Sequence, residues 1–308
     1  RKAVMRNLFA ASALTILALT SSTALAQSTT QPAGVMLSKT TQFDLPAADG
    51  YVYKITVAEP KGDAPANGFG VLFVLDANAS FFTIAEATRF QKGLHPTIVV
   101  GINAPGDALD YPRRYKDLTP YTKLENLTRR SSSSEGNVSP EGTGGQDQFL
   151  AWLENTLKPE IARRYKVDAT KHSLFGHSLS ARFVLHVLAT RPDAFNAYIA
   201  CSPSVWWDRE SLLPELEALA ARGQLDSPKT AVIYVGEYEQ KPSPGTSPDR
   251  AAFFAHAKMV DNAKSAADIL RKVENLRVDY AMFEGENHGS ILPMAVGRGL
   301  RVALAATK

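Results

Sequence analysis

The chain has 308 residues, 44% of them hydrophobic and 21% charged. These proportions supply a sizeable buried core and exclude a disordered or fibrous protein. The formal charge of +3 comes wholly from Arg1, Lys2 and Arg6, because residues 1–26 hold no acid. The remainder is balanced and carries no basic stripe interleaved with aromatics, which excludes a nucleic-acid partner. Pro and Gly follow no period, so collagen and solenoid architectures are excluded as well.

Residues 1–26 run from a basic start through the apolar stretch Ala13-Leu14-Thr15-Ile16-Leu17-Ala18-Leu19 to Ala24-Leu25-Ala26. This is the plan of a secretory signal peptide, with Met5 a candidate start and cleavage expected after Ala26. An uncleaved anchor is the alternative reading. The apolar stretch is shorter than the ~20 residues that span a bilayer, and Ser21-Ser22-Thr23 interrupts it. With no Cys near the cleavage site to carry a lipid, the expectation is a single domain over 27–308, periplasmic or secreted, with no stable membrane insertion. The sole cysteine, Cys201, has no intrachain partner and reads as a small core thiol.

Along the mature chain, short apolar β-rich runs alternate with helical patterns, the signature of βα units around a mostly parallel sheet. Tyr51 to Val57 alternates and is expected at an antiparallel edge. Val71 to Leu75, Thr97 to Ile102, Ser173 to Phe175, Ala197 to Cys201, Ala231 to Val235 and Val278 to Phe283 read as buried strands. A helix is expected from near Asp147, with Phe149, Leu153, Leu157 and Ile161 on one stripe. Others follow Ser178, fill 249–273, and close the chain over 290–304. The stretch 129–148, with Ser131 to Ser134 and four glycines, is too polar to pack and is expected to be a mobile surface loop.

Gly176-His177-Ser178-Leu179-Ser180 links the run 173–175 to a helix. A serine on a sharp strand-to-helix turn stands exposed above the sheet, and the next backbone N–H helps to bind an oxyanion. Here Ser180 occupies the place of the usual final glycine. The alternative is that Ser178 merely caps the helix. Among six histidines, His288 lies in Glu284-Gly285-Glu286-Asn287-His288-Gly289 directly after the last strand, where this fold supplies the base. The acid should follow the preceding strand, where Gly236-Glu237-Tyr238-Glu239-Gln240 offers Glu239 and, as the alternative, Glu237. The order Ser178, acid, His288 is that of α/β-hydrolases. The turn Asp76-Ala77-Asn78 after Val71 to Leu75 would supply a second oxyanion N–H, from Ala77 or Asn78, beside that of Leu179. No H-E-x-x-H, C-x-x-C, P-loop or G-x-G-x-x-G is present, so neither metal nor cofactor is expected.

Six blocks together resemble the putative-esterase family of α/β-hydrolases: Val74-Leu75-Asp76-Ala77-Asn78-Ala79, Arg114-Tyr115-Lys116-Asp117-Leu118-Thr119-Pro120, Gly144-Gly145-Gln146-Asp147-Gln148-Phe149, Phe175-Gly176-His177-Ser178, Ser202-Pro203-Ser204-Val205-Trp206-Trp207 and Asn287-His288. Within it the chain is most similar to periplasmic siderophore esterases that act on enterobactin-type trilactones. Ala77 and Ser180 depart from the glycines usual in the family. The resemblance implies an α/β-hydrolase fold and a small-molecule ester substrate. It also puts Arg113 and Arg114 near the mouth of the site, facing an anionic substrate or held in ion pairs. Trp206 and Trp207 would offer an aromatic wall; their side chains diverge, so one of the two would face the cleft. The expected activity is serine-dependent ester hydrolysis. Acyl transfer on the same fold, or ligand binding without turnover, are the rival readings.

Overall fold

A computed structural model describes residues 37–127, 138–243 and 245–306. The proposed leader and residues 129–137 of the polar stretch lie outside the described residues. Eight strands form one sheet in the order β1-β2-β4-β3-β5-β6-β7-β8. They are β1 (Thr40–Pro46), β2 (Val52–Ala58), β3 (Phe69–Val74), β4 (Thr97–Asn103), β5 (Val167–His177), β6 (Ala197–Cys201), β7 (Gln224–Gly236) and β8 (Glu274–Phe283). From β4 to β8 neighbouring strands are parallel, while β2 pairs antiparallel with β1 and β4. This is the α/β-hydrolase fold expected from the sequence. One strand differs: the run expected at the edge, β2, lies inside β1. Most of β1 is exposed, so its residues carry no apolar run from which a strand is read.

The helices are α1 (Ala77–Phe90), α2 (Tyr111–Leu118), α3 (Gln146–Trp152), α4 (Lys158–Arg164), α5 (Leu179–Thr190), the single turn α6 (Trp207–Glu210), α7 (Leu212–Ala221), α8 (Pro248–Ala257), α9 (Met259–Leu270) and α10 (Ile291–Ala303). A π turn over Leu153–Leu157 joins α3 to α4, and the expected stripe Phe149, Leu153, Leu157, Ile161 is buried along it. Strand residues feed two cores by alternation. Val71 and Phe73 pack with α3, α5, α7 and α9 on one face, and Leu72 and Val74 with α1 and α10 on the other.

Two expectations need correction. The helix over 249–273 is two helices, because Lys258 adopts a left-handed φ of 43° between α8 and α9. The polar stretch is not a loop to its end. Pro140–Gly142 form a 3₁₀ turn, Thr143 is buried and accepts the Thr122 N–H, and α3 begins at Gln146. Buried polar groups there are satisfied by hydrogen bonds, a possibility that composition alone hides.

The strand order reverses between β3 and β5: the chain passes from β3 outward to β4, then returns to β5 on the other side. A crevice forms at such a switch point, outside the carboxyl ends of the strands. Helices α1 and α5 both begin there.

Candidate active site

Ser178 sits between β5 and α5 at φ 63° and ψ −119°, a sparsely populated region for any residue with a Cβ. Its N–H donates to the Cys201 carbonyl (2.9 Å) and its own carbonyl accepts from Ser204 N–H (3.1 Å), so neighbouring backbone fixes the strained turn. Gly176 has to be glycine. A Cβ there would lie 2.4 Å from the Ser180 backbone, where the incoming helix crosses the strand. Ser180 laces the same turn, since its hydroxyl accepts the His177 N–H (3.0 Å) and donates to the His177 carbonyl (2.8 Å). The departure from glycine therefore adds two hydrogen bonds within the elbow.

The His288 Nε2 lies 2.9 Å from Ser178 Oγ, and His288 Nδ1 lies 2.5 Å from Glu239 Oε2. An ionised carboxylate only accepts, so Nδ1 carries the proton and Nε2 is left with a lone pair facing the serine hydroxyl. Glu239 is 1% exposed. Burial alone would raise its pKa, but hydrogen bonds from His288, Ser202 and the Gly236 N–H outweigh this and hold it below the usual carboxylate range. The Ser202 hydroxyl (2.6 Å) and Gly236 N–H (2.7 Å) both bind the oxygen that His288 leaves free. Glu237 stands elsewhere: its carboxylate accepts from Lys241 and from the Gly285 N–H. Of the two glutamates, Glu239 is the one brought to His288.

His177 contributes from behind. Its Nε2–H donates to the His288 carbonyl (2.8 Å), and burial first, then the neighbouring His288 ring, push its pKa down to about 3. It is thus a neutral prop for the histidine loop. Neither His177, Ser202 nor Ser204, whose hydroxyl lies 3.4 Å from Ser178 Oγ, was assigned a role from sequence. The block Ser202-Pro203-Ser204 was the available signal, but its contacts cross between strands.

Across the switch point, Ala77 and Leu179 are the first residues of α1 and α5, so their N–H groups have no intrahelical acceptor. Asp76 turns the chain at φ 52° and is gripped by Arg114 through bonds of 2.8 and 2.9 Å. Asn78 clamps the loop after β4, accepting the Ala104 N–H (2.9 Å) and donating to the Gly106 carbonyl (2.9 Å). Ala77 is accommodated because Gly101 faces it: a Cβ on Gly101 would lie 2.8 Å from that of Ala77.

The family model of the Putative esterase family matches residues 50–288, a span that runs from β2 through Ser178 and Glu239 to His288. The chain belongs to this esterase family. It is 34% identical to the ferri-bacillibactin esterase BesA of Bacillus subtilis over 261 residues, covering 82% of this chain and 84% of that protein. It is 32% identical to the siderophore triacetylfusarinine C esterase of Aspergillus fumigatus, covering 88% and 94%. Among solved structures, the BES protein from Bacillus cereus superposes with a TM-score of 0.75 at 30% identity, covering 89% of this chain and 97% of that one. The siderophore hydrolase EstB from Aspergillus nidulans gives 0.75 at 29% identity, covering 89% and 98%.

In this esterase the residues expected to meet substrate divide. Trp206 lines a cavity beside His288. Trp207 turns away, stacks on Tyr115 at 5.6 Å and donates its indole N–H to Thr122 (2.9 Å). Arg114 is held by Asp76, and Arg113 by Asp49 and Asp117 over the rings of Tyr51 and Tyr53. Both arginines are thus in ion pairs, with Asp117 one turn along α2, Asp49 in the β1–β2 turn and Asp76 in the turn before α1. Among the described residues, no group of three or more His, Cys, Asp or Glu side chains is arranged to hold a metal ion.

Proposed function

We propose that the chain is a serine ester hydrolase in which Ser178 is the nucleophile, His288 the general base and Glu239 the acid that orients it, and that its substrates are siderophore esters. The observation that carries the reading is the hydrogen-bonded line from Ser178 Oγ through His288 to a buried, ionised Glu239. Ser178 Oγ attacks the ester carbonyl carbon as its proton passes to His288 Nε2. The carbonyl oxygen becomes an oxyanion, received by the N–H of Leu179 and that of Ala77 or Asn78; each such donor is worth about 3 kcal/mol in the transition state. Collapse expels the alcohol, which takes the proton from His288. A water activated by the same nitrogen then frees the acyl group and restores Ser178. The imidazolium formed in each half is stabilised by Glu239.

The siderophore substrate is supported by the names of the relatives that match along most of their length. The leader-like residues 1–26 support a periplasmic or secreted site of action, and no helix among the described residues is long and apolar enough to cross a membrane. The test is hydrolysis of a catecholate trilactone beside p-nitrophenyl acetate and butyrate, with Ser178→Ala as control. Faster cleavage of the trilactone, abolished by Ser178→Ala, is expected. Cleavage of the simple esters alone would remove the siderophore assignment, and turnover indifferent to Ser178→Ala would remove the mechanism.

A further inference from the structure

Asp76 stands immediately before α1, where a short acidic residue ordinarily has an extended backbone and a side chain that accepts from the second or third N–H of the helix. It does neither. Its backbone is left-handed, at φ 52° and ψ 39°, and its carboxylate accepts from no N–H of α1. The Ala79 N–H donates instead to the Asp76 backbone carbonyl (3.1 Å). Both carboxylate oxygens are taken by Arg114 of α2, one by Nε at 2.8 Å and the other by Nη2 at 2.9 Å. Water screens this pair little, since each side chain is only 12% exposed.

Two forces favour the arrangement that the structure does not adopt. The unpaired N–H groups at a helix start, with the partial positive charge they carry, draw a carboxylate onto them. A left-handed backbone is also strained in a residue with a Cβ, and extension would relieve it. The two-armed bond from Arg114, charge-assisted and fixed in direction, opposes both. A capping carboxylate would take the N–H of Asn78 or Ala79 and set a negative charge beside the N–H of Ala77. We propose that Arg114 is a positioning residue for the oxyanion hole: it holds Asp76 in the conformation that does not cap α1, and so keeps the N–H groups at the start of that helix open to the oxyanion of the substrate. Its charge also cancels that of Asp76, which would otherwise repel the oxyanion. The proposal rests on the ester-hydrolase reading of Ser178, and it gives Arg114 a duty other than contact with an anionic substrate.

The test uses the whole protein and two esters, 4-acetoxybenzoate, which is charged, and its neutral methyl ester. Arg114→Met frees the Asp76 carboxylate to cap α1. Loss of an oxyanion donor then predicts a fall in kcat of about hundredfold for both esters, with KM little changed. Adding Asp76→Gly to Arg114→Met removes the capping group and leaves a residue at ease in the left-handed turn, so kcat should rise again by about tenfold or more. Such a rescue is not expected if Arg114 serves only to stabilise the fold. Should Arg114→Met fail to fold, Arg114→Lys decides: it keeps the charge but loses one of two charge-assisted bonds, and kcat should fall about tenfold for both esters. An unchanged kcat in the single variants, a loss that Asp76→Gly does not relieve, or a loss confined to KM for the charged ester overturns the proposal. The last result would make Arg114 a substrate contact. A crystal structure of Arg114→Met gives a readout that needs no turnover. The Asp76 carboxylate is expected on the N–H of Asn78 or Ala79, and a carboxylate that still points away from α1 overturns the proposal. A capped α1 alongside ester hydrolysis indifferent to Ser178→Ala upholds the hold of Arg114 on Asp76, and in that case it is the hydrolase reading that fails.

Discussion

In the proposed mechanism, two residues that never touch substrate govern how His288 acts: Ser202 and Glu239. Ser202, itself at φ 51°, binds the Glu239 oxygen that His288 does not use. Removing that hydroxyl leaves the oxygen with the Gly236 N–H alone, and the carboxylate becomes easier to protonate. Ser202→Ala should therefore lower kcat about tenfold and move the acid limb of the rate profile to higher pH, which a pH–rate series from both proteins would reveal. Glu239→Gln should cost roughly 10³- to 10⁴-fold in kcat, whereas Glu237→Gln, which touches Lys241 and Gly285, should stay within a few-fold of wild type, on the order of an exposed ion pair. Stability follows the same charge. The Glu239 pKa is lowered by folding, so its contribution is present above the ordinary carboxylate value and is lost as pH falls through the folded value. The gap in Tm between wild type and Glu239→Gln should accordingly shrink on acidification. Sequence left two glutamates in play because both lie in one short turn; only the placement of the His288 loop, 49 residues away, separates them.

The strand–turn–helix formed by β5 and α5 was legible because its signals are local: an apolar run, a small-residue turn and a buried helical stripe. From Leu179 to Ala189 every residue of α5 is buried, which explains the crowding at Gly176. Gly176→Ala should lose about 3 kcal/mol of stability or fail to fold, measured by denaturant titration, since its Cβ would meet backbone that has no room to yield. Ser180→Gly is milder. Two hydrogen bonds in the elbow are lost, worth about 1–3 kcal/mol, and the strand and helix should remain. Elements that sequence missed or merged lacked such local signals. The strand β1 exposes most of its residues and exists by pairing with β2, and the break between α8 and α9 rests on the backbone of one lysine, Lys258.

At the scale of the whole chain, the sheet assembles the site from three distant loops. Ser178 follows β5, Glu239 follows β7 and His288 follows β8, so 110 positions separate the hydroxyl from the imidazole it meets. The chain order of these groups was readable from strand runs alone, because parallel strands put every strand-to-helix loop at one edge of the sheet. The close approach of the last two loops was not readable. Gly236 lets the acid turn lie against the histidine loop, where an added Cβ would stand 2.5 Å from the Glu286 carbonyl oxygen, and Tyr238 N–H donates to that same oxygen (2.9 Å). In the proposed mechanism, Ser178 is reactive only because the folded sheet brings it to His288 and Glu239. The most direct test is to treat the folded protein with a fluorophosphonate, follow ester hydrolysis, and locate the label by peptide mass spectrometry. One phosphonyl group on Ser178, gained in step with loss of activity and absent from Glu239→Gln on the same timescale, is the predicted result. Hydrolysis that continues while Ser178 remains unlabelled, or a label that accumulates on another residue as activity falls, would contradict it.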